Sequence, residues 1–379
     1  MEHTPNNQDT PPHTANRALA PQAEAGKDQR SFLPDSVAIS PNGRIVAVGE
    51  TRVDESSPGT VFPGTVFLWD ITDRARPRPA ARLTEPAMLG PRVLAFTADG
   101  RTLVVGGYGL ASERRDGDTT GIVDLWNVGD GTRPAHLGTI RPGITGEVQS
   151  VGFSPDGQLL AAGGGDWNAQ GGGTATLWDV AERTRPRRIG PVLTGHEGPV
   201  STVAFAPNGR TLATGGGGNR NGDTSSGDVL LWDVTNRQHP SRIGQPLAGH
   251  HGPVAAAVFS PDGRTLATAG GGMGDRNGTM QLWDITDLPR VHPIGHAFTG
   301  HRGTVEAIAF TRGGRTLVSG GYDLRSGTFP TAALWDLAPL AELRDQASSR
   351  ACDIAGGGLD EPEWSSYVPN LPYQKTCPG

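Results

Sequence analysis

The chain has 379 residues, of which 56 are glycine and 31 proline, while aromatic residues make up only 6% and charged residues 19%. That balance disfavours helical bundles and coiled coils, which are rich in Ala, Glu, Lys and Leu, and favours many short strands joined by Gly/Pro turns. With 33 basic against 39 acidic side chains the net charge is −6, which argues against a broad nucleic-acid footprint. No run of 18 apolar residues marks a membrane span.

In chain order, the amino terminus comes first. Residues 1–31 are a Pro/Ala/Gln/Asn mixture with no apolar h-region, so they read as a disordered tail and not as a secretory signal. Two cysteines, Cys352 and Cys377, are too few for a disulfide framework, and a soluble, cytoplasmic protein with two thiols is the expectation.

From Phe32 onward the chain repeats itself. A tryptophan followed by Asp or Asn occurs at Trp69, Trp126, Trp178, Trp232, Trp283 and Trp335, at intervals of 57, 52, 54, 51 and 52 residues. Ahead of each tryptophan lies a turn that ends in glycine: Gly43, Gly100, Gly157, Gly209, Gly263 and Gly314. Five of these turns read Asn-Gly or Asp-Gly, which supply the positive φ that tight turns need. An apolar alternating run precedes each turn, a second follows it, and a third ends at the tryptophan, as in Val229-Leu230-Leu231-Trp232. Each unit therefore predicts three clear strands and a weaker fourth.

These units resemble WD repeats, six copies over residues 32–337. The resemblance implies an all-β fold, a six-bladed β-propeller of four-stranded sheets, and the periodicity agrees, because one such sheet cannot bury both faces alone. The Gly-His pair that opens family repeats stands at His196, His250 and His301 and is missing from the first three units. By resemblance the hydrogen-bonded sets would be His196, Thr214 and Trp232; His250, Thr268 and Trp283; and His301, Ser319 and Trp335, all as scaffolding. The family's turn aspartate, six residues before the tryptophan, is absent from all six units.

The segment between the second and third strands is long in every unit: about 50–64, 106–121, 163–173, 215–227, 270–278 and 320–330. In a propeller these loops share one face, and binding residues often sit on loops held by a rigid scaffold. They carry Tyr108, Arg114, Arg115, Trp167, Arg220, Arg276, Tyr322 and Arg325, residue types enriched where interfaces concentrate energy. These eight are the candidate partner-binding residues.

No Gly-x-Gly-x-x-Gly, Walker loop, Gly-x-Ser-x-Gly elbow or zinc-type histidine pair occurs, so no cofactor, metal or catalytic residue is assigned. After Trp335 the period changes to 3.6: Leu340, Leu343, Ala347, Ala351 and Ile354 share one helical face, and Gly356-Gly357-Gly358 ends the helix. Residues 338–379 read as a helical cap. With its Ala351-Cys352, Glu363-Trp364, Tyr367 and Thr376-Cys377-Pro378 it resembles the tail that follows WD-repeat arrays of actinobacterial proteins, where the array often accompanies a regulatory NTPase or kinase domain. The function so implied is a non-enzymatic scaffold or sensor that binds other proteins. Two alternatives stay open: a small-molecule or metal-dependent propeller enzyme with its site at the channel mouth, and the detached sensor of an NTPase or kinase system.

Overall fold

The computed structural model describes residues 30–54, 63–110, 119–129, 131–166, 172–218, 227–271, 277–321, 331–340 and 342. They form six antiparallel sheets, five of four strands and one of three. The first sheet is β1 (Arg30–Ile39), β2 (Ile45–Asp54), β3 (Thr65–Asp70) and β4 (Arg78–Thr84); the second is β5 (Gly90–Phe96), β6 (Thr102–Leu110), β7 (Thr119–Asn127) and β8 (Ala135–Ile140). The third holds β9 (Glu147–Phe153), β10 (Leu159–Gly165), β11 (Thr174–Asp179) and β12 (Arg187–Leu193); the fourth holds β13 (Val200–Phe205), β14 (Thr211–Gly216), β15 (Gly227–Asp233) and β16 (Ser241–His250). The fifth is β17 (Val254–Phe259), β18 (Thr265–Gly271), β19 (Gly278–Asp284) and β20 (His292–His301), and the sixth is β21 (Val305–Phe310), β22 (Thr316–Gly321) and β23 (Thr331–Asp336). The weak fourth strand of the sequence pattern is thus formed in five sheets, and β1 starts at Arg30, two residues before the array's expected start.

The chain divides into two compact units, Met1–Gly165 with Thr176–Arg188, and Asp166–Ala175 with Ile189–Gly379. In the first, Leu68 of β3 is buried with Leu94, Leu103 and Ile122 of the second sheet, and Leu125 of β7 with Val151 and Leu160 of the third. In the second, Leu231 of β15 meets Phe259 and Leu266, and Leu282 of β19 meets Val305 and Leu317. Each cluster joins the leucine one residue before the repeat tryptophan to the following sheet. That placement is why the apolar run ending in Leu-Trp recurs.

Local chemistry fixes the turns. All six turn glycines between first and second strands take φ between +66° and +70°, a region closed to most side chains. In the second unit of the repeat, the Asp99 carboxylate accepts from the Thr97 hydroxyl at 2.5 Å and from the Arg101 N–H at 2.9 Å, and these bonds hold its pKa below the usual range. The residue after each tryptophan caps the next turn. Asp70 accepts the Thr72 N–H at 2.9 Å, Asn127 that of Gly129 at 3.0 Å, and Asp233 that of Thr235 at 2.8 Å. An Asx turn needs only a side-chain carbonyl or carboxylate oxygen, so Asn serves as well as Asp.

Candidate functional site

The expected loops are shorter than the sequence pattern proposed. β2 runs to Asp54, β6 to Leu110, and the glycine pairs Gly215-Gly216, Gly270-Gly271 and Gly320-Gly321 belong to strands. The reason is close backbone approach: a Cβ on Gly216 would overlap the Pro199 carbonyl, and one on Gly270 the Pro253 carbonyl. Tyr108 is accordingly a strand residue of β6, paired with Gly90 and Gly121, and not a loop residue. The other seven candidates, Arg114, Arg115, Trp167, Arg220, Arg276, Tyr322 and Arg325, lie outside the described residues, as do Cys352 and Cys377.

Tyr108 sits in a small polar cluster. Its ring covers Gly90, where a Cβ would overlap the ring, and its carbonyl accepts the Leu89 N–H at 2.8 Å. The Arg92 guanidinium lies 5.6 Å from the ring centroid, and Arg92 Nε donates to Glu147 Oε2 at 3.0 Å. Both charged groups reach solvent, so the cluster is a surface feature whose ion pair contributes at most about 1 kcal/mol.

Arg92 marks a position the sequence pattern did not reveal. Every first strand carries one extra residue opposite the second strand, at the same register near the end that bears the long connections. The register skips one residue at Pro34/Ser36, Pro91/Val93, Val200/Thr202, Val254/Ala256 and Val305/Ala307, and Gln149 is passed over between Val148 and Ser150. The bulged residues are Asp35, Arg92, Gln149, Ser201, Ala255 and Glu306. A bulge re-aims the side chain it displaces. Arg92 and Glu306 are exposed, and Gln149, Ser201 and Ala255 are half-buried. Desolvation by the surrounding chain raises the Glu306 carboxyl above the ordinary range, although its side chain still reaches solvent. Four of the six first strands share a Val-x-(Ser/Thr/Ala) step there, and the other two begin it with proline, so the bulge leaves no single residue signature.

The histidines lie elsewhere, inside the protein. His196 Nε2 is 2.8 Å from Thr214 Oγ1, which also accepts the Trp232 indole N–H at 2.9 Å, while Nδ1 is 3.1 Å from Asp228 Oδ1. His250 repeats the pattern with Thr268 at 2.8 Å and Trp283 at 2.9 Å, and Thr279 Oγ1 stands 3.1 Å from its Nδ1. His301 Nε2 meets Ser319 Oγ at 2.7 Å, and Trp335 donates to the same oxygen at 2.8 Å. Asp228 and Thr279 each stand four residues before the tryptophan, at the start of the third strand. The missing aspartate is therefore replaced from a nearer position. Burial lowers the His250 pKa to about 4 and also lowers that of His301.

A repeated antiparallel four-stranded unit, in which the sheet-to-sheet leucine and the histidine–hydroxyl–indole set recur, defines a β-propeller built from sequence repeats. The WD domain, G-beta repeat family matches residues 136–179, 188–233, 241–284 and 293–325. The chain belongs to the WD40-repeat family. Guanine nucleotide-binding protein subunit beta-1 of Nicotiana tabacum is 30% identical over 210 residues, which covers 55% of this chain and 49% of the relative. The beta subunit of Arabidopsis thaliana is 30% identical over 211 residues, with 55% and 49% covered. The chain thus spans about half the length of the curated relatives it matches. Among solved structures, Sqt1 of Chaetomium thermophilum aligns with TM-score 0.57 at 18% identity, over 82% of this chain and 71% of that one. The periplasmic gluconolactonase PpgL of Pseudomonas aeruginosa aligns with TM-score 0.55 at 17% identity, over 80% and 85%. These likenesses establish the fold. Among the described residues no helix is long and apolar enough to cross a membrane.

Proposed function

We propose that this protein is a non-enzymatic interaction module of the cytoplasm that recognises another protein through the strand ends bearing the long connections. One observation carries the reading. The six first strands bulge at one register, yet the residue displaced there differs in every repeat: Asp35, Arg92, Gln149, Ser201, Ala255 and Glu306. Elsewhere the repeats keep their residues, as the turn glycines and tryptophans do. A fixed backbone with a different side chain at each copy is what specific recognition of an irregular partner surface needs. Tyr108, stacked under Arg92, adds an aromatic anchor, and the connections with Trp167, Arg220, Arg276 and Tyr322 extend the same ends.

The test is co-purification from lysate of the source organism with mass-spectrometric identification. Three full chains are compared: the native one, Arg92→Ala/Tyr108→Ala/Glu306→Ala, and Trp167→Ala/Arg220→Ala/Arg276→Ala/Tyr322→Ala, with circular dichroism as the folding control. A protein retained by the native chain and lost by either variant supports the reading. An unchanged set of bound proteins moves recognition away from these strand ends and overturns it.

A further inference from the structure

The connections between third and fourth strands lie at the opposite ends of the sheets from the long connections. In each of the five four-stranded sheets a basic residue stands two places before the fourth strand: Arg76 before β4, Arg133 before β8, Arg185 before β12, His239 before β16 and Arg290 before β20. All five are exposed. The turn itself asks only for a main-chain donor at this position. The N–H groups of Arg76, Arg185, His239 and Arg290 donate to the carbonyls of Asp73, Glu182, Asn236 and Asp287 at 2.8–3.0 Å. Any residue except proline can supply that bond. A basic side chain recurs where the main chain already does the structural work, so its charge is available to something outside the fold.

The feature is strongest in the first compact unit. Segments 70–78 and 179–188 hold seven arginines against four carboxylates, in a chain whose net charge is −6. Arg183 belongs to the fold, because its guanidinium lies 5.6 Å from the Phe153 ring centroid and donates to the Val180 carbonyl. Arg74, Arg76, Arg78, Arg185, Arg187 and Arg188 are exposed. Arg185 Nε stands 3.7 Å from Glu182 Oε1, but both side chains are more than half exposed and water screens the pair.

We propose that these exposed arginines, Arg76 and Arg185 foremost, form a second recognition surface, which takes an acidic segment of a partner protein. It lies at the other ends of the sheets from the strand-end surface proposed above and stands independently of it. A guanidinium fork grips a carboxylate through two parallel hydrogen bonds. Pro77 and Pro186 directly follow Arg76 and Arg185 and restrict their backbone, so little main-chain freedom is lost on binding. Asp70, Asp73, Asp179 and Glu182 interrupt the arginines in sequence, which disfavours the continuous cationic track that a phosphate backbone needs. A membrane surface is disfavoured too: Val37, Ile39, Leu110 and Leu334, the exposed large apolar residues among the described ones, all fall outside these segments.

Fluorescence anisotropy of the full chain with a labelled (Glu-Ala)8 peptide tests the proposal. Saturable binding is expected at about 50 mM NaCl, weakening at least about 10-fold at about 300 mM as salt screens the charges. Arg76→Gln/Arg185→Gln keeps both N–H donors and is expected to weaken binding at least about 5-fold. Arg141→Gln/Arg302→Gln makes the same change in charge at exposed sites on the other ends of the sheets, and an effect below about 2-fold is expected. Circular dichroism is the folding control. No saturable binding by the native chain overturns the proposal, and so does equal weakening by the two variants, which would reduce the effect to net charge. Tighter binding of a single-stranded DNA of matched length, or of phosphatidylserine vesicles, gives the surface to another class of partner and also overturns it.

Discussion

His250 Nε2 and Thr268 Oγ1 lie 2.8 Å apart, and the same hydroxyl oxygen accepts the indole N–H of Trp283 at 2.9 Å. One side chain thus ties the end of β16 to the second and third strands of the next sheet. A neutral imidazole suits this arrangement, since one ring nitrogen donates while the other accepts. Burial, and then the neighbouring His251, lowers the His250 pKa from 6.5 to about 4. A folded pKa below the unfolded one means that the unfolded chain binds the proton more readily. The contribution is therefore complete above pH 6.5 and is lost as pH falls from 6.5 towards 4. A shift of that size corresponds to roughly 3 kcal/mol. Urea midpoints at pH 7.5 and pH 5 are expected to fall for the native chain and to fall less for His250→Phe.

Thr268→Val removes the acceptor of Trp283 and the partner of His250 while keeping shape. Two buried polar groups are then left unpaired, and a loss of about 2–4 kcal/mol is expected in chemical denaturation. The double variant His250→Phe/Thr268→Val is expected to lose less than the sum of the single changes.

The first repeat supplies the converse. Val48 stands five residues after Gly43, where Thr214 and Thr268 stand in the later repeats, and Trp69 Nε1 is buried with no hydrogen-bond partner. Val48→Thr offers that indole the acceptor its counterparts have. A gain of about 1 kcal/mol in stability is expected from thermal or urea unfolding. No gain would mean that the indole points elsewhere than in the fourth and fifth sheets.

The strands and their order were legible because burial imposes a period. The leucine before each tryptophan meets the next sheet, and the Asn-Gly and Asp-Gly turns need positive φ, so both recur as letters. What was illegible depends on register or on distant backbone. The bulge at Arg92 and Glu306 follows from how the first strand pairs. In the sequence Gly216 and Gly270 look like loop residues, because glycine abundance is the same whether it frees a turn or admits a carbonyl. The Asp228 and Thr279 partners of His196 and His250 replace one another at a shifted position, which a motif fixed at six residues misses. Residue type alone marks Tyr108 in the sequence, yet its strand position and its stacking with Arg92 come only from pairing.

Asp124 of β7 is fully buried; Thr139 Oγ1 donates to its Oδ1 at 2.5 Å, His136 Nε2 lies 3.4 Å away, and Oδ2 has no hydrogen-bond partner. Desolvation outweighs these partners and raises its pKa. A raised carboxyl pKa means that the folded chain holds the proton longer, so stability from this group is present at acid pH and lost as pH rises through the folded value. Asp124→Asn removes that loss. The variant is expected to be more stable than the native chain at pH 7, by about 1 kcal/mol, and equal to it near pH 4. Unfolding midpoints at the two pH values check the sign.

Two adjacent glycines of β22 separate close approach from mere flexibility. A Cβ on Gly321 would overlap the Thr304 carbonyl, whereas one on Gly320 would meet nothing within 4 Å among the described residues. Neither has the positive φ that would strain a side chain. Gly321→Ala must push β22 away from the first strand and is expected to cost about 1–3 kcal/mol, like other overpacked sites. Gly320→Ala fits without strain and restricts only the unfolded chain, so a gain of about 0.4–1 kcal/mol is expected. Urea unfolding of the two variants side by side checks the pair. Equal effects would show that the glycine runs at the ends of second strands serve flexibility and not packing.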